Sequence, residues 1–337
     1  MPEPFTPTEH PWPLRLAVLL VCATFPLIWV GGLVTSLEAG MAVPDWPSTF
    51  GYNLFLYPWQ TWFFGPWDIF VEHGHRLLAA GVGMITIALV VATWRSSAHQ
   101  HLRTLAMLGL ALVVFQGVLG GLRVLLNARD VAKLHACVAP AFFAYTAVLA
   151  TLMSSRWRTA SRPVVSTTAG SLHRLTMITA GLAYLQIVLG AQLRHFVPGF
   201  DHQLFRVALV FHLVVAALLT AHIFWLLIVT LRSYRHEPWL VRPAVAMAVL
   251  VTGQLLLGAR TWIVNYGWPV WFQQYLAAQE FVVGLKSLEQ TIVTTAHVAT
   301  GALIFMTSVL MVVRSFRLYR SAEVRSPLPS AAAGVTL

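Results

Sequence analysis

Eight stretches of this chain are long and apolar enough to cross a lipid bilayer, and together they leave little chain for anything else. A spanning helix needs about 20 mostly apolar residues. Segments 14–36, 69–94, 104–126, 131–154, 173–194, 205–231, 240–262 and 290–313 meet that requirement. With 58% hydrophobic and 10% charged residues among 337, and a mean hydropathy of +0.71, there is no room for a soluble domain. The expected fold class is an all-α integral membrane protein. The opening residues, MPEPFTPTEHPWPLR, lack the Arg-rich character of a transit peptide and a small-residue cleavage site, so a bacterial inner (plasma) membrane is the expected home.

The net charge of +10 does not point to nucleic acid, because the basic residues punctuate segment ends rather than forming one patch. They report orientation instead. With the N-terminus inside, 14 of the 22 Lys and Arg fall on the inner side, while the outer side holds 8 of the 12 acids. Both termini are therefore expected in the cytoplasm. Cys22 and Cys137 both lie inside apolar segments, which gives no support to a loop disulfide, a CxxC pair or a zinc site.

An internal repeat runs through the segments. Gln116-Gly117-Val118-Leu119-Gly120, Gln186-Ile187-Val188-Leu189-Gly190 and Gln254-Leu255-Leu256-Leu257-Gly258 share the pattern QxxLG on segments three, five and seven. Segment one keeps only Gly31-Gly32 of it. Such glycines let a neighbouring helix or a flat ligand approach the backbone. A buried amide in lipid costs free energy unless it has a partner, so Gln116, Gln186 and Gln254 call for one.

The even segments each carry one histidine: His75, His135, His212 and His297. The unit is a helix pair used four times, which predicts two pseudo-symmetric four-helix bundles, residues 1–160 and 161–337, each with two histidines. All four lie five to eight residues inside their segments, about 8 to 12 Å below the outer surface at 1.5 Å per residue. Imidazoles paired at one depth suit bis-histidine ligation of heme iron. Arg123, Arg194 and Arg260 stand just beyond the three QxxLG motifs and are candidate partners for heme propionates. His10, His99, His101 and His236 lie in tails or inner loops, and His173 and His222 nearer the inner side. His195 and His202 could at most line a cofactor edge.

The halves differ chemically. Only His75 sits in Glu72-His73-Gly74-His75-Arg76. Positions i and i+3 share a helix face, so Glu72 is placed near whatever His75 ligates, where a carboxylate can relay protons.

With Gly31-Gly32-Leu33-Val34-Thr35, Pro44-Asp45-Trp46-Pro47, Glu72-x-x-His75-Arg76, Gln116-Gly117-x-Leu119-Gly120-Gly121, Leu134-His135, His212 and His297, the chain resembles the heme A synthase family of the respiratory apparatus over nearly its whole length. The resemblance implies two four-helix bundles, heme b in the C-terminal one and heme O as substrate in the N-terminal one. The implied reaction is oxidation of the C8 methyl group of heme O to the formyl group of heme A. By that resemblance Glu72 is catalytic, His75 and His135 ligate the substrate heme, and His212 and His297 ligate heme b. Arg76 comes with the motif and without an assigned role. Implied partners are a heme O synthase, terminal oxidase assembly and an electron carrier of unknown identity. Some members carry a cysteine pair in the first outer loop, and residues 38–68 here contain none. The outer stretch 263–289, with Tyr266, Trp268, Trp271, Phe272 and Tyr275, reads as an interfacial lid. A diheme b-type cytochrome that only passes electrons and a non-catalytic heme carrier are the alternatives.

Overall fold

The computed structural model describes residues 11–96, 99–196, 202–269, 283–284 and 286–321. Within them the helices are α1 (Trp12–Ser36), α2 (Trp59–Phe63), α3 (Trp67–Arg95), α4 (Gln100–Leu125), α5 (Arg129–Met153) and α6 (Ser155–Thr159). These are followed by α7 (Ala169–Arg194), α8 (His202–Ser233), α9 (Pro238–Tyr266) and α10 (Leu288–Leu318). All but the short α2 and α6 are long and apolar enough to cross a membrane. The eight expected segments are therefore eight helices, and each helix extends past its expected bounds at one end or both. The protein is an all-α membrane protein.

Local chemistry sets the helix ends. Helix α3 follows Pro66, carries Asp68 in its first turn and Arg95 in its last, so both charges complement the helix dipole. Helix α10 starts where the Ser287 side chain accepts the N–H of Gln290, and it has Glu289 in its first turn and Arg317 in its last. Helix α9 opens on Pro238 with the Glu237 side chain capping Trp239 N–H, and stops at Gly267, whose φ of +78° no ordinary side chain favours.

In the first half α1 packs on α3, α3 on α4, α4 on α5 and α5 back on α1, which closes a ring of four helices. In the second half α7, α8, α9 and α10 close a ring in the same order. The halves meet where α1 and α5 touch α10 and α5 touches α7. Each ring has its own apolar core: Leu20, Val82, Leu89, Phe142 and Leu149 in the first, and Leu172, Ile223, Leu240, Met247 and Met311 in the second. Leu19, Ile87, Val114, Phe211 and Val249 are exposed, as lipid-facing side chains should be when the solvent is hydrocarbon. At the end of the rings opposite the four histidines, strand β1 (Val164–Ser166) pairs in parallel with β2 (Tyr319–Ser321), tying the connection between the halves to the end of α10.

Candidate functional site

Each of the four histidines rests on a glycine of the helix that precedes its own. A β-carbon added to Gly31 of α1 would meet Cε1 of His75 at 2.9 Å. The same construction gives 3.2 Å from Gly120 to His135, 3.6 Å from Gly190 to His212 and 3.1 Å from Gly258 to His297. At Gly31 a β-carbon could not be placed without a shift, at Gly120 and Gly258 the ring would have to give slightly, and at Gly190 it would make ordinary contact. The sequence repeat is thus a spatial one, and it includes α1.

The glutamines of the same motifs find their partners on the same histidines. Gln116 Nε2 donates to the backbone carbonyl of His135 at 3.0 Å. Gln186 Nε2 donates to the carbonyl of His212 at 3.0 Å and lies 3.1 Å from its ring Nε2. Gln254 Nε2 lies 3.4 Å from Nε2 of His297.

Against this, Nδ1 of His75, His135, His212 and His297 is buried and has no partner among the described residues. Four buried polar atoms left unsatisfied in hydrocarbon are expensive unless something else binds there. The rings of His212 and His297 have centroids 6.4 Å apart. An iron between two imidazoles stands about 2 Å from each nitrogen, which with roughly 1 Å from nitrogen to ring centre sets the centres about 6 Å apart. This pair fits a bis-histidine heme, with a glutamine amide at each ring. His135 lies close enough to His75 to act on its charge.

The acid of the site is sealed. Glu72 is 1% exposed. Its carboxylate accepts from Arg76 Nε at 3.1 Å and from an Arg123 guanidinium nitrogen at 3.2 Å. Arg76 goes on to donate to the carbonyls of Asp45 at 2.6 Å, Ser48 at 3.0 Å and Val43 at 2.7 Å. The Pro44-Asp45-Trp46-Pro47 loop is therefore clasped to Glu72 through one guanidinium. Its Trp46 ring lies against Gly121, next to the glycine that seats His135, and Gly40 lies against the Arg123 guanidinium. Asp45 holds the turn beyond it by accepting from Phe50 N–H at 2.8 Å and Gly51 N–H at 2.9 Å. Partial burial works to raise the Asp45 pKa, but these backbone donors outweigh it, and the group sits below its ordinary value.

Sequence reasoning missed two features here. Arg76 was quoted without a role, although a buried arginine one turn after a buried glutamate signals a pair. His73 was not singled out at all. It is buried, 3.1 Å from the Thr49 hydroxyl through Nδ1, and packed by Tyr57 and Trp62, so it is a second anchor for the same loop.

The three arginines beyond the QxxLG motifs have different surroundings. Arg123 is on Glu72, and Arg260 is ion-paired with Glu289. Arg194 crosses to the first half and donates to Gly32 O at 2.6 Å and Ser36 Oγ at 2.7 Å, and it has no carboxylate partner among the described residues. His195 caps the end of α7 through a 2.9 Å contact with Ala191 O, and His202 is the first residue of α8. His173 stacks on Phe316 at 3.8 Å and takes a structural role. Cys22 and Cys137 are free. Of the expected 263–289 lid, Tyr266 packs on Trp262 and Phe205, while Trp271, Phe272 and Tyr275 lie outside the described residues.

The model of the COX15-CtaA family, described as cytochrome oxidase assembly protein, matches residues 66–205, a span that holds Glu72, His75, Arg76, Gln116, His135 and Gln186. A heme A synthase of Shouchella clausii is 28% identical over 265 residues, covering 72% of this chain and 84% of that protein. One from Alkalihalophilus pseudofirmus is 26% identical over 264 residues, covering 72% and 86%. A shorter similarity, 32% identity over 108 residues, is to a protoheme IX farnesyltransferase of Halobacterium salinarum and covers 31% of this chain and 22% of that one. Residues 66–205 thus match the COX15-CtaA model, and over 72% of its length the chain is similar to heme A synthases.

Proposed function

We propose that this protein is a heme A synthase: it oxidises the C8 methyl group of heme O to the formyl group of heme A for terminal oxidase assembly. The observation that carries this reading is the unequal pair of sites. Four histidines sit on four glycines, two per helix ring, and among the described residues only the first ring adds a buried carboxylate, Glu72, three residues before a histidine. Residues 1–160 and 161–337 act as the two halves of a pseudo-symmetric molecule. His75 and His135 hold the substrate heme, and His212 and His297 hold a resident heme b, whose chemistry is electron transfer.

The chain's own residues have separable tasks. Gly31, Gly120, Gly190 and Gly258 let the imidazoles approach face to face. Gln186 and Gln254 meet two of the rings, and Gln116 holds the main chain of His135. The loop over residues 43–48, with Trp46 against Gly121 and Arg76 on three of its carbonyls, excludes water from the Glu72 side. Glu72 Oε1 and Oε2 are the atoms positioned to hold or pass a proton beside the substrate heme, while Arg76 and Arg123 hold the carboxylate in place. Turning a methyl into a formyl group with an oxygen atom from water releases four electrons and four protons, so an electron-accepting carrier must be a partner, beside the heme O synthase that supplies the substrate. The membrane is the bacterial inner one, with both termini cytoplasmic and the heme sites toward the outer face.

A diheme b-type cytochrome is the second reading, favoured by the two arginines that already engage Glu72. Acid extraction and chromatography of the hemes, from protein made in a host with heme O but no heme A, separates the two. Heme A or its hydroxylated precursor beside heme b supports the synthase, and two heme b per chain sinks it.

A further inference from the structure

Between Asp45 and Asp68 the chain runs for 22 residues without a charged side chain, and ten of them are aromatic. This connection between α1 and α3 lies at the histidine end of the first ring, outside the spanning helices. It has two faces. Tyr57 and Trp62 pack on His73, with ring centres 5.1 and 5.3 Å away. Phe55, Leu56, Trp59, Phe63, Phe64 and Trp67 are instead between 54% and 74% exposed. Their rings form a connected cluster that runs onto α3. Trp59 meets Phe64 at 6.0 Å and Phe64 meets Phe63 at 5.2 Å, while Phe63 and Trp67 meet Phe70 at 5.8 and 5.1 Å.

An exposed apolar patch of this extent marks a contact with protein or with membrane. Two observations favour lipid. A protein interface has a polar rim, whereas this stretch has no charge and continues into the wall of a spanning helix. Trp67 opens α3, and Leu78, three turns along the same face, is 41% exposed. The patch also combines tryptophan with phenylalanine and leucine, the side chains that settle where hydrocarbon meets headgroups.

We propose that residues 50–67 are an interfacial anchor, lying in the bilayer surface at the histidine end with Phe55, Leu56, Trp59, Phe63, Phe64 and Trp67 turned into lipid. The partner is a lipid surface and not a second protein. The anchor does not depend on what the histidines bind. Its effect reaches Glu72 all the same, because the anchored connection is the one that His73 and Arg76 hold through Thr49, Ser48, Asp45 and Val43. The cover over the carboxylate is thereby fixed between the bilayer on one side and α3 on the other.

The test is fluorescence quenching of the full chain in phosphatidylcholine vesicles. Leu56→Cys or Phe64→Cys, combined with Cys22→Ala and Cys137→Ala, receives a thiol-reactive dye. Asp130→Cys in the same background is the aqueous control, since the Asp130 side chain at the same end is 94% exposed. The dyes at positions 56 and 64 should lose emission to a lipid bearing a nitroxide high on its acyl chain and keep it against iodide, the reverse of the control. Emission that follows the control at either position overturns the proposal and leaves the patch to a protein partner. Should the labelled chains not fold, the unmodified protein in vesicles containing a diazirine-bearing lipid decides. Photo-cross-links within residues 50–67 support the anchor, and cross-links confined to the spanning helices refute it.

Discussion

Arg76 and Glu72, one helical turn apart on α3, meet at 3.1 Å with both side chains buried, and the same guanidinium then reaches three carbonyls of the loop above. A carboxylate in this position is both a structural hub and the acid nearest the first histidine pair. These two roles respond differently to substitution.

Glu72→Gln keeps the shape and removes the charge. Two arginines then face each other with no counter-charge, and breaking a buried pair in this way costs on the order of 3 kcal/mol. We expect a lower thermal midpoint, an unchanged ratio of two hemes per chain, and no heme A in the extract. Heme A formed at the normal rate would remove Glu72 from the reaction.

Arg76→Lys separates the clasp from the charge. Lysine is a point cation without the fork that reaches Glu72 and the carbonyls of Val43, Asp45 and Ser48 together. Hydrogen–deuterium exchange across residues 43–52 should rise well above the unmodified level while α3 stays protected. Unchanged exchange would mean that His73 and its aromatic neighbours hold the loop by themselves.

Much of this was legible before any coordinates. Hydropathy located all eight spanning helices because lipid allows few alternatives, and QxxLG located three of the four histidine seats. The fourth, Gly31, was recognisable only as a remnant, since Leu27 replaces the glutamine and erases half the motif. The sequence makes Arg123 a candidate propionate contact and gives no sign of its contact with Glu72, 51 residues away. Sequence spacing reports partners within a helix and is blind to those across a ring. The clasp of Arg76 on a loop some 30 residues earlier was hidden for the same reason.

Gly258→Val tests the seats. Even an alanine β-carbon there would stand 3.1 Å from Cε1 of His297, and the branched side chain of valine must push the imidazole away or part α9 from α10. Overpacking of this kind typically costs 1–3 kcal/mol. The absorbance of heme b should be lost while that of the first-half heme persists. Full heme b content would show that His297 is not seated by this glycine.

Asp45 gives the loop a pH limit. Its folded-state pKa lies below the ordinary value, so the stabilisation it supplies is complete above the ordinary carboxylate range. That stabilisation is lost as pH falls through the folded value, when the protonated acid can no longer accept from both Phe50 and Gly51. Exchange at these two amides, corrected for the intrinsic effect of pH, should accelerate in acid. Asp45→Ala should already exchange fast at pH 7, and a variant that matched the unmodified protein at both extremes would exclude the carboxylate as the cause.

Arg194 is the last cation to place. It starts four residues after the seat of His212, reaches across to Gly32 and Ser36 of α1, and lies close enough to His297 to act on its charge. Ser36 in turn contacts Thr295 of α10 at 3.2 Å, so the guanidinium stands at a junction of three helices and both halves. Arg123 and Arg260 each have a carboxylate, whereas Arg194 has none among the described residues, and under the proposed function we assign it to a heme propionate. A cation near heme favours the reduced iron, which carries one positive charge fewer. Arg194→Met should therefore lower the midpoint potential of heme b in a redox titration, while Arg260→Met, which removes a cation already spent on Glu289, should shift it far less. Equal shifts in the two variants would mean that Arg194 only braces α7 against α1, and the loss would then appear in thermal stability alone.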